Sequence, residues 1–463
     1  MRVSRLQRLV LVAIALLCVV SLGGASWIAW RLGPIGSAYT AKTVCTAVFV
    51  SGRDPRAVYD EDVVKDNHPL LALTRVRVDG GQSAVRADFL GLRPRRARHV
   101  PGRGCTLESI AGDEAMGPVR AARAVARAPD PAVQSILDRA LADAAARTRA
   151  LAVMHDGRLV AEAYAPGFSP HTALPGWSMS KTMTAVLAGM AVGRGALRLD
   201  SATLLPQWAR DSRRDIALDH LLRMTDGLAF DEDPGNPLSD AVAMLLLEPD
   251  AAGFAAGKPL RATPGSTWRY SSGSTNVLMR VVADALGYAG AAAARLPREF
   301  LFTPLGLHSA VVEPDASGLP VGSSFMHASP HDWLRFGQFL LQDGVWDGVR
   351  LLPQGWVRGM TTLTPASGPH AFGAHVWLRV PEAYAGPRAT RRTLPAGTFH
   401  AVGHEGQFLS VVPGRGLVVL RLGVTRPPHK WDHQALLAGV LDALASARGG
   451  ITPAQAESRT VRE

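Results

Sequence analysis

Two residues in the chain, Ser178 and Lys181, have the types and the spacing for nucleophilic catalysis. They stand three residues apart at the predicted start of an apolar helix, where positions i and i+3 share one face, within hydrogen-bond reach of each other. The helix N-terminus favours developing negative charge, and a desolvated amine can accept the serine proton. The alternative is that Ser178 caps the helix and Lys181 lies at the surface. Because this is the only Ser-x-x-Lys spacing among just five lysines, we predict a nucleophile and its base.

Two further groups would complete such a site. Tyr270 lies in a turn-rich loop, residues 264–273, before a predicted helix. It could relay a proton to the leaving group if a cation lowers its pKa. The sequence His404-Glu405-Gly406 opens a predicted strand, and the backbone N–H of Gln407 would join that of Ser178 in an oxyanion hole. A core tyrosine and an ordinary turn would explain each motif alone, but the ordered combination favours a hydrolase.

Other chemistries lack their sequence patterns. His404 begins like a zinc-protease motif, but Phe408 stands where the second histidine is required. No phosphate-binding loop or dinucleotide fingerprint occurs. His327 and His331 have a metal-like spacing, but Pro330 interrupts any helix between them, which favours helix capping. We therefore expect no cofactor and no metal.

The elements around these residues predict a mixed α/β (α+β) fold. An antiparallel sheet, built from two hairpins, would be flanked by terminal helices, with a helical insert subdomain beside it. Asp130 and Pro131 are typical of a helix start, and this first terminal helix would run to about residue 145. The predicted hairpin strands are 151–154, 159–164, 407–412 and 417–422; the other predicted helices are 183–194, 218–224, 277–286, 332–341 and 434–447.

The motifs resemble those of the penicillin-binding-protein-like serine hydrolases. Ser178-Met179-Ser180-Lys181, Tyr270-Ser271-Ser272 and His404-Glu405-Gly406 occur in that family's order. The family includes class C β-lactamases, family VIII esterases and 6-aminohexanoate-dimer hydrolases, and the resemblance covers about residues 130–447. It implies the same sheet-and-helix fold, with Ser178 as the acylated nucleophile, Lys181 as its base or base partner, and Tyr270 in proton transfer. Three further segments are also similar: residues 218–228, 302–307 and 335–339.

Two positions depart from the β-lactamase pattern. Ser272 stands where their second motif ends in asparagine, and His404 replaces the lysine of Lys-Thr-Gly. Histidine is mostly neutral at pH 7, so recognition of a carboxylate on a β-lactam or a peptide C-terminus should be weaker. We therefore expect Ser272, His404 and Gly406 to bind substrate as in the esterases and 6-aminohexanoate-dimer hydrolases. The predicted reaction is hydrolysis of a small ester or amide through acyl-Ser178. The alternatives are a cell-wall D-Ala peptidase or β-lactamase-type enzyme, and a non-catalytic binding protein of the same fold.

The N-terminus carries a membrane-spanning pattern. Residues 9–30 contain no charged side chain and follow Arg2, Arg5 and Arg8. As a helix this length spans roughly 30 Å of hydrocarbon, and the arginines favour the cytoplasmic side. A cleaved signal peptide is the alternative, because residues 24–26 resemble a cleavage site. We favour a single-pass anchor in the inner membrane, with residues 1–8 in the cytoplasm and the hydrolase in the periplasm.

Between the anchor and the hydrolase domain, residues 128–447, the sequence predicts a small β-rich segment at residues 31–127. Its first strand would be the β-branched run at residues 43–50, and a linker would follow at residues 121–129. Cys45 and Cys105 could pair in an oxidising compartment. The basic cluster at residues 93–99 could contact anionic lipid headgroups, although we favour a solvated face. Residues 448–463 would form a flexible tail.

The net charge of +11 does not by itself indicate a nucleic-acid partner. Of 50 basic residues, five are lysines and the rest arginines, spread along the chain rather than concentrated in one stripe. A nucleic-acid partner is therefore not expected. The hydrophobic share of 47% argues against disorder, and three cysteines are too few for a disulfide scaffold. The expected partners are a small substrate and the membrane.

Overall fold

The computed structural model describes residues 5–107, 115–118, 124–233, 235–388 and 391–449. Three predicted regions lie partly outside the described residues. These are the cytoplasmic region, up to residue 4, the linker, at residues 121–123, and the tail, from residue 450 onward.

The N-terminal part of the chain consists of helices and a four-stranded antiparallel sheet with the strand order β1-β2-β3-β4. Helix α2 packs on this sheet, and a disulfide joins Cys45 of α2 to Cys105 of β4. We call residues 33–107 the N-terminal module. The elements are α1 (Arg5–Arg31), α2 (Gly33–Phe49), α3 (Pro55–Val58), β1 (Thr74–Asp79), β2 (Ala84–Phe89), β3 (Leu92–Val100) and β4 (Gly104–Leu107).

The strand predicted at residues 43–50 is wrong, because residues 43–49 form the C-terminal part of helix α2 and Val50 is its C-cap. Their β-branched side chains favour a strand by propensity, but packing decides between the two states. Ala41, Val44 and Cys45 repeat at helical spacing and are completely buried in the core of the module. Burial of this helical face outweighs the local preference, so the strands of the module begin only at Thr74.

No single helix among the described residues is both long enough and apolar enough to cross a membrane. One pair of helical segments, Ser272–Ala285 and Gly290–Leu305, meets both requirements together, with a bend of 102° between them. Helix α1 covers the predicted anchor at residues 9–30, which stays a prediction. Six side chains within α1 lie outside the described part: Arg8, Val10, Val19, Ser21, Leu22 and Ala25.

A five-stranded antiparallel sheet with the order β12-β13-β14-β5-β6 forms the centre of the remaining chain, so the predicted mixed α/β fold with an antiparallel sheet is confirmed. Both predicted hairpins are present in it. Two smaller sheets have the orders β7-β9-β8 and β10-β11. The strands are β5 (Thr148–His155), β6 (Arg158–Tyr164), β7 (Leu174–Pro175), β8 (Val311–Val312), β9 (Met326–Ala328), β10 (Val345–Trp346), β11 (Val349–Arg350), β12 (Phe399–Gly403), β13 (Gln407–Val412) and β14 (Leu417–Gly423).

Helices cover both faces of the central sheet. The two terminal helices, α4 and α13, pack together against one face through Leu137, Leu437 and Val440, and the Asp130 carboxylate caps α4. Helix α11 packs on the other face, next to the helical region. The helices are α4 (Pro131–Ala142), α5 (Ser180–Gly193), α6 (Leu218–Arg223), α7 (Asp240–Leu246), α8 (Ala251–Ala256), α9 (Ser272–Ala285), α10 (Thr303–Leu305), α11 (Pro330–Leu341), α12 (Trp356–Met360) and α13 (His433–Gly449).

A buried carboxylate, Glu313, joins the N-terminal module to the rest of the chain. It accepts hydrogen bonds from Lys42 Nζ at 2.7 Å, Thr46 Oγ1 at 2.6 Å and the Cys105 N–H at 2.7 Å. Burial opposes ionisation, but the Lys42 ammonium, His327 and the hydrogen bonds from Lys42 and Thr46 together lower the pKa of the Glu313 carboxyl. A charge this deeply buried persists only with such partners, so the module is bound through a specific contact.

We predict that Glu313→Ala destabilises the protein strongly, because it leaves the Lys42 ammonium buried without its counter-ion. Breaking one side of a buried pair costs about 3–5 kcal/mol. Urea unfolding followed by circular dichroism measures the change. The control is Asp200→Ala, which removes a solvent-exposed partner of Arg198 and should leave the unfolding curve unchanged. Equal curves for Glu313→Ala and Asp200→Ala would contradict the role given to Glu313.

Candidate active site

Ser178 lies in a single 3-10 turn, Trp177–Met179, directly before helix α5, and Lys181 lies in the first turn of that helix. The structure brings their side chains together, with Lys181 Nζ 2.9 Å from Ser178 Oγ. Helix α5 is buried on nearly all sides, which holds the turn against the core. Gly176 lets the chain before this turn approach the Trp333 ring closely, because a Cβ at this position would lie 2.4 Å from that ring.

The Lys181 amine has a hydrogen-bond partner for each proton of its charged form. Besides Ser178 Oγ, Nζ donates to Ser272 Oγ at 2.8 Å and to the Ser323 carbonyl at 3.0 Å. Burial lowers the pKa of Lys181 to about 8, and the Glu232 carboxylate opposes this shift. A neutral amine, which can accept the Ser178 proton, is therefore accessible just above neutral pH.

Glu232 was not predicted from the sequence. Its carboxylate contacts Ser272, which also binds Lys181. Ser272 connects the two: its hydroxyl accepts from Lys181 and donates to Glu232 Oε1 at 2.5 Å, while its N–H donates to Oε2 at 2.6 Å. Burial raises the pKa of Glu232, although Lys181 and Ser272 oppose this. Ser272 therefore bridges Lys181 and Glu232, and its predicted contact with substrate stays a prediction. The acidic run Asp231-Glu232-Asp233 was the available signal, but nothing in it singles out the middle residue.

Tyr270 completes the group around the nucleophile. Its side chain interacts with that of Ser178, and Lys181 Nζ lies 4.9 Å from the centre of its ring. Burial raises the pKa of Tyr270, and the interaction with Ser178 opposes this only in part. The lowered tyrosine pKa considered from the sequence is therefore not found. A phenol in this environment keeps its proton and can donate it.

The loop His404–Gly406 connects β12 to β13 beside the nucleophile. The His404 side chain is exposed, and its ring centre lies 5.6 Å from that of Trp177, so it stands at the rim of the site. Gly406 is buried with a φ of +82°, and a Cβ there would lie 2.6 Å from Arg421 Nη1. Glycine is therefore required here by the close approach of Arg421, and the expected contact of Gly406 with substrate stays a prediction.

Gln407 begins strand β13, and its side chain is buried in backbone contacts. Its Nε2 donates to the His404 carbonyl at 2.9 Å and to the Gly423 carbonyl at 2.6 Å. Strands β12 and β13 both contact the turn that carries Ser178, and a Cβ on Gly403 would lie 2.1 Å from the Gly176 carbonyl. The backbone of Gln407 is thus held next to this turn, where its N–H was predicted to act.

Two arginines that were not predicted as site residues bind the loop His404–Gly406. Arg421 Nη1 donates to the carbonyls of Glu405 and Gly406 at 2.9 and 2.8 Å. Arg426 pairs with the Glu405 carboxylate and donates to the carbonyl of Asp62, in the N-terminal module, at 2.6 Å. A signal for Arg421 existed, because it is the one charged residue in the apolar strand Leu417–Gly423.

The N-terminal module also reaches the site through the turn at residues 321–325, which Glu313 holds. The N–H of Glu313 donates to the Phe325 carbonyl, and its carbonyl accepts from Val321, both at 3.0 Å. Ser323 lies between these two anchored residues, and its carbonyl binds Lys181. The module is therefore bonded to both the segment that holds the lysine and the loop that precedes Gln407.

A cavity of about 480 Å³ opens beside Tyr270 and Glu232. Aromatic rings form much of its wall, with Trp268 stacked on His370 at 4.9 Å between ring centres. Arg269 supplies a cation to the same wall. The lining residues are Phe230, Glu232, Trp268, Arg269, Tyr270, Ala366, Ser367, Gly368, Pro369 and His370.

The histidines with metal-like spacing do not meet in the fold. His331 Nε2 is hydrogen-bonded to Glu162 at 2.8 Å, whereas His327 Nδ1 contacts the Phe325 carbonyl at 3.2 Å. Across the described ranges, no group of three or more His, Cys, Asp or Glu side chains could hold a metal ion.

Several solved structures share the fold of this chain. A putative 6-aminohexanoate-dimer hydrolase from Bacillus anthracis is 18% identical with a TM-score of 0.55, over 73% of this chain and 89% of that one. A putative beta-lactamase from Bacteroides dorei is 18% identical with a TM-score of 0.55, over 68% and 98%. A family VIII carboxylesterase is 14% identical with a TM-score of 0.55, over 69% and 98%. At these identities the likeness shows the fold alone.

The sequence comparisons agree with this fold. No curated protein matches the chain. The family model named Beta-lactamase matches residues 133–443, which is more than half of the chain and includes Ser178, Lys181, Tyr270 and Gln407. The resemblance inferred from the motifs is confirmed, and the chain belongs to the beta-lactamase family of serine hydrolases.

Proposed function

We propose that the protein hydrolyses an ester or amide bond of a small molecule through an acyl-Ser178 intermediate. The observation that carries this proposal is the 2.9 Å contact between Lys181 Nζ and Ser178 Oγ, made by a lysine whose pKa burial lowers to about 8. A base with a pKa near the working pH transfers protons most effectively. Two neighbours of the same fold are named as a 6-aminohexanoate-dimer hydrolase and a carboxylesterase.

In the proposed acylation, neutral Lys181 takes the hydroxyl proton of Ser178 while Oγ forms a bond to the substrate carbonyl carbon. The carbonyl oxygen becomes an oxyanion, which the N–H groups of Ser178 and Gln407 stabilise. As the oxyanion collapses, the bond to the alcohol or amine breaks, and the leaving group takes a proton from the Tyr270 hydroxyl. Tyr270 then regains a proton from the protonated Lys181, which returns the amine to its neutral form. The raised pKa of Tyr270 suits a donor rather than the acylation base. Water then releases the acyl group by the same steps.

The surroundings of the site favour a substrate that carries no carboxylate next to His404, the residue that replaces the lysine of the β-lactamase Lys-Thr-Gly motif. His404 takes the place of a permanent cation there, and its side chain is exposed at the rim. The aromatic wall formed by Trp268 and His370 suits an apolar portion of the substrate. This composition supports an ester or amide hydrolase over a cell-wall D-Ala peptidase.

We also propose that helix α1 anchors the protein in the inner membrane, with the hydrolase domain on the periplasmic side. Large apolar side chains along α1 are exposed, including Leu9 at 67%, Leu16 at 60% and Val20 at 70%. Such a surface is costly in water and favourable in hydrocarbon. The disulfide between Cys45 and Cys105 suits an oxidising compartment outside the cytoplasm.

We predict that Ser178→Ala lowers the hydrolysis of a chromogenic short-chain ester on the order of a thousandfold or more, because it removes the nucleophile. The control, Ser212→Ala, changes an exposed serine and should keep full activity. A panel with nitrocefin and a D-Ala-D-Ala peptide tests the substrate class. Full activity in Ser178→Ala would contradict the mechanism, and faster turnover of the peptide or nitrocefin would contradict the class.

We predict that the acylation rate rises about tenfold per pH unit on the acid side and levels off above about pH 8, because only neutral Lys181 can accept the Ser178 proton. The pH dependence of kcat/KM for the ester measures this midpoint. Glu232→Gln should move the midpoint to lower pH, since it removes the negative charge that raises the pKa of Lys181.

The matched control for this shift is Asp233→Asn, which removes an exposed neighbouring carboxylate that caps Gly235 rather than facing Lys181. Its midpoint should equal that of the unmodified protein. A purely structural role for Glu232 would reduce kcat/KM equally at every pH and leave the midpoint unchanged, and that result would contradict the coupling to Lys181.

A further inference from the structure

The turn between strands β2 and β3 carries an exposed apolar tip. Leu90 and Leu92 are 51% and 56% exposed, and Gly91 stands between them with a φ of +83°. We call residues 89–93 the hairpin tip. Two large apolar side chains at the end of a hairpin leave a surface that water solvates poorly and that an apolar environment would cover.

The hairpin tip lies beside the end of helix α1. The Arg93 guanidinium carbon is 3.6 Å from the centre of the Trp30 ring, and Trp30 is itself 66% exposed. Tryptophan is enriched where a membrane helix meets the headgroups. The exposed leucines are therefore next to the part of α1 expected at the membrane surface.

Arginines form a row across the neighbouring strands. Arg77 on β1 is paired in register with Arg86 on β2, which is paired with Arg96 on β3, and all three side chains are exposed. Like charges directly opposite one another destabilise a sheet, so this row favours an anionic partner. Over residues 74–100 the chain has seven arginines against two aspartates.

We propose that the hairpin tip inserts into the headgroup region of the membrane that α1 enters, and that the arginine row binds the anionic lipid headgroups around it. Apolar groups that enter the acyl boundary beside arginines on the phosphates are the usual features of an interfacial lipid-binding surface. This proposal rests on the proposed anchoring of α1. Docking of the hairpin tip adds to this anchoring, because the module is bonded through Glu313 and Arg426 to the active site. The docked module therefore orients the active site relative to the bilayer.

The test uses the full chain on a Cys18→Ser background, reconstituted in phosphatidylcholine vesicles with or without phosphatidylglycerol. Leu90→Cys carries an environment-sensitive nitrobenzoxadiazole probe, and nitroxide-labelled lipids serve as quenchers. Val349→Cys, at the start of strand β11 in a small hairpin of the hydrolase domain, is the matched control at a residue that is 58% exposed. We expect quenching at position 90, stronger with phosphatidylglycerol, and none at position 349.

Removing the arginine row should weaken this signal. We expect Arg77→Gln, Arg86→Gln and Arg96→Gln together to reduce the phosphatidylglycerol-dependent quenching at position 90 by at least half. Arg139→Gln, Arg358→Gln and Arg415→Gln, at exposed positions of the hydrolase domain, should not change it. A probe at Leu17→Cys reports anchoring separately.

Quenching at position 17 without quenching at position 90 would overturn the docking proposal while leaving the anchor. No quenching at position 17 would overturn the anchor itself. Binding of soluble polyphosphate to the arginine row, with position 90 unquenched, would overturn membrane docking and assign the face to a soluble polyanion.

Discussion

The burial of one amine, that of Lys181, is the constraint on which the site depends. A lysine removed from water must either lose its proton more readily or find an acceptor for each N–H, and Lys181 does both. Its three acceptors come from three separate parts of the chain: Ser178, Ser272 and the Ser323 carbonyl. The helical region, the turn before α5 and the turn at residues 321–325 must therefore be in place together before the nucleophile can be activated.

The N-terminal module lies outside the region that the family model matches, yet it is bonded to one of these parts and to the loop before Gln407. Glu313 ties Lys42 of the module to the segment that presents Ser323, and Arg426 ties Asp62 to the loop before Gln407. These are buried contacts of charged groups, which lose far more when one partner is removed than exposed ion pairs do. The module thus supports the active site at both edges and connects it to helix α1.

Local signals were enough to predict the hairpins, the capped start of α4 and the meeting of Ser178 with Lys181, because each depends on neighbours in sequence. The prediction of a strand at residues 43–50 was wrong because one face of helix α2 is buried against the sheet of the module. That burial depends on residues distant in sequence, so the local pattern does not reveal it. Glu232 and Arg421 were not identified because their partners lie on distant segments, across hydrogen bonds that no spacing rule encodes. For Gly406 the residue type was informative, because a glycine is needed to accommodate Arg421, a neighbour from a distant part of the chain.

The proposal that Lys181 activates Ser178 as the nucleophile can be tested by covalent trapping of the serine. The folded protein is treated with a fluorophosphonate at pH 8, digested, and analysed by peptide mass spectrometry. We expect one adduct, on Ser178, and an adduct rate that falls sharply in Lys181→Ala. Lys258→Ala, at a partly exposed lysine that contacts Asp240, should label normally. An unlabelled Ser178 in folded protein, or labelling that is equally fast without Lys181, would contradict the proposal.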